Sequence, residues 1–543
     1  MTDQQPREKM GCLKKLLFGG MIAGAVAVLA VVLVYLLWYR PAVAEMPVFE
    51  TDYLAQWQGA ELEGGADSHA WPVMVRAVEE MGQLPGYDIE FRGRTMRREI
   101  ERDLRPGDAD WDLLEEFVNR PEVNTTLDRL RDVADKPVLG HSHSDGIDPA
   151  FNAALVAANT GFVISEPSLN PNPSMHALDL PYGGTAYWQS RLLMTRGFLR
   201  GIEGGAGVET VRDLEAALAV SRHVERQGGG IVTRIGVGLA GESADTALEL
   251  LARDLDGVEQ ATLDQLDSAM EAWQGRKPIN PFEFAVFQAR DLMQRVYGTG
   301  GRMTAVGVAR LSEHELGIAG DTSMLSRVDE GLGKQVLWVQ AYSVFARGGF
   351  PDESELEALV EEFVPLGETF GNIGPWEMDP EQSPMKGIYR IAQAFEAYEA
   401  LPLQLGYAHT LASKMTEAGC VAVSRVSAVR LVIAAIRHRQ ETGDWSSSAD
   451  ELGDGSAWPD GFTGEPLKVI ASEAGPVIYS AGTDRNDDGG RECEEPDQFW
   501  WPKNAAKMEK SRPEQFDGDW VLWTTSLHED RAAKREAARE ADG

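Results

Sequence analysis

From Leu16 to Tyr39 the chain carries no charged residue, and Leu, Val and Ala dominate. In lipid a backbone must satisfy its own hydrogen bonds, so such a run predicts a transmembrane helix. At about 1.5 Å per residue it spans a hydrocarbon layer of ~30 Å with some tilt. Trp38 and Tyr39 close the run, where amphipathic rings sit at the headgroup level. Arg7, Lys9, Lys14 and Lys15 precede it, and only Arg40 follows closely. The positive-inside rule then keeps a cytoplasmic tail at 1–15, places the lipid bilayer around 16–39 and exports the rest. The expectation is a single-pass protein of a bacterial inner membrane, its bulk periplasmic or extracytoplasmic. Ala42-Val43-Ala44 has the form of a signal-peptidase site, but a signal core is about 7–15 residues and this run is longer. Gly20 and Gly24 form a GxxxG, a spacing common in spans generally.

Charge narrows the class further. Against 51 Lys+Arg stand 86 Asp+Glu, a formal charge of −35 that repels phosphate backbones and argues against a nucleic-acid partner. The 43% apolar and 25% charged residues are those of a folded protein. Cys12, Cys420 and Cys493 include no CxxC pair and are too few for a disulfide framework.

Residues 45–420 read as helices joined by Gly- and Pro-marked loops, an all-α exported domain of helical hairpins. Val211, Leu214, Leu218 and Val224 form one stripe over 211–226, and Gly228–Gly230 end it. In the next helix, 231–255, Gly236, Gly238 and Gly241 lower helix propensity, and close approach to a neighbouring helix is the compensation expected. Further helical patterns cover 70–81, 111–118, 146–158, 186–201, 263–273, 281–296, 354–363 and 385–400. Near 420 the pattern changes. Val423, Val426, Leu431, Ile433 and Ile436 give 421–439 a broad apolar face, and Gly443 stops that helix. Short β-like runs follow at 467–471, 477–480 and 520–525, so 421–525 reads as a small α+β module. Residues 526–543 form a charged tail.

The stretches Asp460-Gly461-Phe462-Thr463-Gly464-Glu465-Pro466-Leu467, Tyr479-Ser480-Ala481-Gly482-Thr483-Asp484 and Asp517-Gly518-Asp519-Trp520-Val521-Leu522-Trp523 follow this helix. In that order they resemble the globular domain of the major pseudopilins of type II secretion. The likeness covers about a fifth of the chain, with an insertion between Arg491 and Phe516. It implies a long helix, a short sheet and a metal-binding loop, in a protein placed beside a secretion or pilus-like assembly. Anchor, helical region and pseudopilin-like end together are similar to a broad group of bacterial envelope proteins.

The strongest chemical constellation is Asp484-Arg485-Asn486-Asp487-Asp488-Gly489 with Glu495 beyond, which fits the calcium-loop spacing D-x-[DN]-x-[DN]-G-x5-E. Alternate oxygens of Asp484, Asn486 and Asp488 converge as such a loop curls, and Gly489 permits the turn. Gly490 offers its carbonyl, Glu492 occupies the ninth position and Glu495 closes the shell. The pseudopilin likeness implies a different closure, by Asp517 or Asp519. Pro496 and the preceding β-like run leave no flanking helix pair, so the ion expected is a structural Ca2+. Asp, Asn and Gly are also the ordinary formers of solvated turns.

His141-Ser142-His143-Ser144-Asp145 is the alternative centre. H-x-H-x-D resembles the metallo-β-lactamase zinc motif, but Gly146 stands where that motif has a further His. The competing reading is a polar loop whose Asp148-Pro149 opens a helix. There is no G-x-S-x-G elbow and no phosphate loop. Trp520 and Trp523, with Phe499-Trp500-Trp501, suit the core of the small module more than a binding face. The reading is a membrane-anchored, non-enzymatic envelope protein with a structural or interaction role and protein partners in the envelope. A metal-dependent hydrolase using His141, His143 and Asp145 is the alternative, and a helical groove for an exported peptide or polysaccharide is a third.

Overall fold

The computed structural model describes residues 51–81, 86–91, 94–99, 111–141, 182–226, 230–276, 404–472, 474–482, 485–493 and 518–533, with single positions within 26–29, 284–294 and 354–361. Two compact units divide the chain: 1–53, 288–361 and 395–402 in one, and 54–287, 362–394 and 403–543 in the other. In the first, Val26, Val28 and Leu29 are helical and exposed. The rest of the expected span 16–39 lies outside the described residues. Gln294 exchanges hydrogen bonds with the Thr51 backbone, and Arg290 pairs with Glu357 and Glu361.

The second unit is mainly helical. Among the described residues its helices of eight or more residues are α1 (Trp71–Met81), α2 (Trp111–Val118), α3 (Pro121–Leu130), α4 (Tyr182–Gly204), α5 (Val208–Glu225), α6 (Gly230–Arg253), α7 (Gln260–Gln274) and α8 (Gln404–Thr442). A hairpin of β1 (Gly86–Phe91) and β2 (Arg94–Glu99) lies inside the stretch expected to be all helical. Its sequence signal is the alternation of Tyr87, Ile89 and Phe91 with acids, a pattern too short to stand out among helices. The expected helices at 146–158 and 385–400 fall outside the described residues.

Local chemistry sets most helix ends. Pro121 opens α3, where its missing N–H costs nothing. Glu209 sits in the first turn of α5 and Arg222 in its last, each complementing the helix dipole. Gly443 ends α8 at φ 85°, its N–H bonded to the Arg439 carbonyl.

Packing then joins the elements. α4, α5 and α6 pack on one another, α7 lies on α5, and α8 lies on α6 and α7. Ala422, Val426, Val429, Ile433 and Ile436 of α8 are at most 1% exposed. Ala418–Thr442 is long and apolar enough to cross a membrane, but 78% of its most apolar window is buried in the fold, which marks it as the core helix here. The division expected at 420/421 falls inside this continuous helix. At Gly236 an added Cβ would lie 2.6 Å from the Glu225 nitrogen and 2.7 Å from the Ser221 carbonyl, so α5 and α6 touch backbone to backbone. Ser221 Oγ bonds the Gly236 carbonyl across the same contact.

The C-terminal sheet has the order β3 (Lys468–Ser472), β4 (Gly475–Ser480), β5 (Trp520–Trp523), all antiparallel. Val469 pairs with Ile478, and a bulge follows at Ile478/Tyr479 on the β5 side. Trp523, fully buried, donates its Nε1–H to the Leu248 carbonyl of α6. The sheet is thereby part of the helical core.

Candidate metal centre

The loop between β4 and β5 is shaped by backbone that few residues adopt. Gly482, Arg485, Gly489 and Gly490 all have φ between 60° and 82°. Arg485 is the non-glycine exception, and a left-handed residue without glycine's freedom carries strain. An Asx-type turn reinforces the curl, with Asp487 Oδ1 accepting from the Gly489 N–H at 3.1 Å. The same oxygen accepts from the Tyr479 hydroxyl at 2.9 Å. Burial and that bond to an acid push the Tyr479 phenol above its usual range.

Asp519 is the buried centre of the arrangement, 0% exposed. Its Oδ1 accepts from the Asp488 N–H at 3.2 Å and its Oδ2 from the Gly490 N–H at 2.6 Å. Its backbone bonds the loop on the far side, N–H to the Arg491 carbonyl and carbonyl from the Cys493 N–H. Gly518 makes this possible, because a Cβ there would lie 2.8 Å from the Arg491 carbonyl. Burial raises the Asp519 carboxyl above its ordinary value; the two amides oppose this, and Asp487 and Asp488 add to it.

Of the expected ligands, Asn486, Asp488, Gly490, Glu492 and Asp519 are described. Asp488, Gly490 and Asp519 are brought together. Asn486 is exposed and donates to Asp488 Oδ1 at 3.4 Å. Glu492 bridges to Asp519 through its backbone, with its own side chain exposed. Asp484, Glu495 and Asp517 lie outside the described residues. Asp488 Oδ2 is buried with no hydrogen-bond partner, and the exposed Arg491 guanidinium stands 3.3 Å away. Among the described residues, no three His, Cys, Asp or Glu side chains form a metal-holding group. What is described is a curled oxygen-rich loop clamped to β5. Its oxygens are hard donors, and Asp488 Oδ2, which accepts no hydrogen bond, is ion-paired with Arg491. Asp487 and Tyr479 escaped the spacing argument because Asp487 falls between the ligand positions; the only signal was the Asp-x-Gly turn.

No protein family, curated protein or solved structure matches the chain.

At the alternative centre His141 is 6% exposed, its ring 4.4 Å from that of Trp71. Burial lowers its imidazole to about 4. That is the setting of a core histidine. His143 and Asp145 lie outside the described residues.

A second buried acid organises the small module. Asp460 Oδ1 accepts from Ser424 Oγ of α8, Ser480 Oγ of β4 and the Phe462 N–H, and Oδ2 from the Ala481 N–H. Beside it, Gly461 passes so close to α8 that a Cβ would meet the Cys420 carbonyl at 2.0 Å. The residues singled out at 460–462 by the pseudopilin resemblance thus tie loop, helix and strand.

Proposed function

We propose that this is a single-pass, membrane-anchored envelope protein with a structural or interaction role, whose C-terminal module is locked by calcium in the loop 484–495. The anchor is the uncharged run 16–39, with 1–15 in the bacterial cytoplasm and the bulk of the chain outside it. What supports the calcium reading is a carboxylate-rich loop already curled by Asp519, in which the buried Asp488 Oδ2 accepts no hydrogen bond and faces the exposed Arg491 guanidinium. Asp484, Asn486, the Gly490 carbonyl and a closing carboxylate at Glu495 or Asp517 would join Asp488, while Asp519 holds the loop amides. The cation would supply charge neutralisation to a loop that otherwise concentrates carboxylates. The role is read as structural or interaction-based, and stability is its first test.

Thermal unfolding of the full chain in detergent, stripped of metal and then given calcium, zinc or chelator, tests this. A ligand that binds only the folded state raises the melting temperature. Calcium is expected to raise it and chelator to reverse the gain, with the gain lost in Asp488→Ala. A rise with zinc alone, abolished by His141→Ala, would favour the hydrolase. No rise with either metal would leave the loop a turn.

A further inference from the structure

The stretch Arg131–His141 is held against the helical core as a strap. It begins as a 3-10 turn, Arg131–Asp135, packed on α5, and it ends in backbone pairing with the residues that open α1. There the Ala70 N–H donates to the Val138 carbonyl at 3.0 Å and the Trp71 N–H to the Leu139 carbonyl at 2.8 Å. Gly140 lies against the His69 ring with no room for a Cβ. Val133 and Leu139, both 0% exposed, are the apolar side chains that the strap buries.

His223 of α5 lies beneath the turn, 2% exposed. Its Nε2 is 3.4 Å from the Val133 carbonyl, and its Nδ1 is buried with no hydrogen-bond partner. The charges acting on it are Arg222 and Arg226 of its own helix, both cations. Nearby acids are committed or turned away: Asp213 to Arg131, Arg196 and Arg200, Glu225 to Arg276, and Asp132 and Asp135 to solvent. From the strap side Arg131 is held by Asp213 and Glu209, and Lys136 Nζ by the Asp67 carbonyl. An imidazolium here would have one donor without an acceptor and two like charges beside it.

We propose that 131–141 is a proton-released strap: protonation of His223 frees it from α5 and uncovers the apolar surface beneath. Burial first, and the two arginines after the opposing Val133 bond, hold the closed-state imidazole at about 4 against an ordinary 6.5. The sign follows. A depressed basic group favours the closed state above 6.5; closure weakens tenfold per pH unit from 6.5 to 4 and is constant below, roughly 300-fold for His223 alone.

Hydrogen exchange of the full chain, read by mass spectrometry from pH 7 to 4 with chemical exchange rates divided out, tests the strap. Protection at 70–71 is expected to fall at least toward that 300-fold limit while the α6 amides hold. In His223→Gln, which cannot titrate, the fall should shrink to the share of His141, the buried imidazole that closes the strap, and it should vanish when His141→Gln is added. Arg222→Gln keeps the imidazole and raises only its closed-state value, so the fall should still begin near 6.5 but level off at a higher pH and be smaller, which serves if the first variant does not fold. Flat wild-type protection at 70–71, an unchanged fall in His223→Gln, an undiminished fall in Arg222→Gln, or α6 opening in parallel would each overturn the proposal.

Discussion

At residue scale, the module's most constrained position is Asp460. Its carboxylate accepts four hydrogen bonds while 2% exposed, so removing it strands two hydroxyls and two amides in the interior. Asp460→Ala is expected to cost about 3–5 kcal/mol, read as a lower denaturation midpoint at unchanged slope. A loss under 1 kcal/mol would mean that water reaches the freed groups. Asp213 is built on the same logic, one fully buried carboxylate shared by Arg131, Arg196 and Arg200, with Asn124 accepting further donors of Arg196 and Arg200. The exposed Arg76–Glu80 pair on α1 is of a different kind, and surface pairs contribute little. Nothing in the spacing of residue 213 or 460 marked them as buried. An isolated Asp reads as solvated until its partners, tens of residues away, are known.

Among elements, the α5–α6 contact sets two effects against each other at Gly236. Alanine there would gain about 1 kcal/mol of helix propensity. Its Cβ would, however, lie 2.6 Å from the Glu225 nitrogen, and backbone cannot step aside as a side chain can. Overpacking of this kind costs about 1–3 kcal/mol, so Gly236→Ala should destabilise on balance, by a fall in melting temperature of several degrees. An unchanged or raised melting temperature would show that the helices separate without loss. The expectation of close approach was legible because three glycines interrupt one apolar helix; that Gly236 makes the contact was not. α3 was missed altogether. Its Val123, Leu127 and Leu130 do keep a helical spacing, but Asn124, Thr125 and Thr126 between them are poor helix formers. Burial on α1 overrides that weak preference, with Arg196 of α4 bonding the Asn124 carbonyl.

For the molecule as a whole, α8 decides what can fold alone. It covers α6 and α7 with its apolar face, while Trp523 reaches Leu248 and Arg531 pairs with Asp245 and Glu249 of α6. Residues 54–287 expressed without 403–543 should therefore expose the faces α8 buries, bind a hydrophobic dye and lose cooperative unfolding. A fragment that melts sharply by itself would refute the shared core. The sequence alone determined the helical character, the stop at Gly443, the three C-terminal strands and the curl of the acidic loop. These depend on periods of 3.6 and 2 and on turn residues, all within a few positions of one another. Tertiary structure alone decided that one helix runs unbroken through 420, that the small sheet is seated on α6, and that Asp519 grips the loop through its amides. Each of these joins residues far apart in the chain, and burial rewards such contacts according to which surfaces meet, which no local pattern encodes.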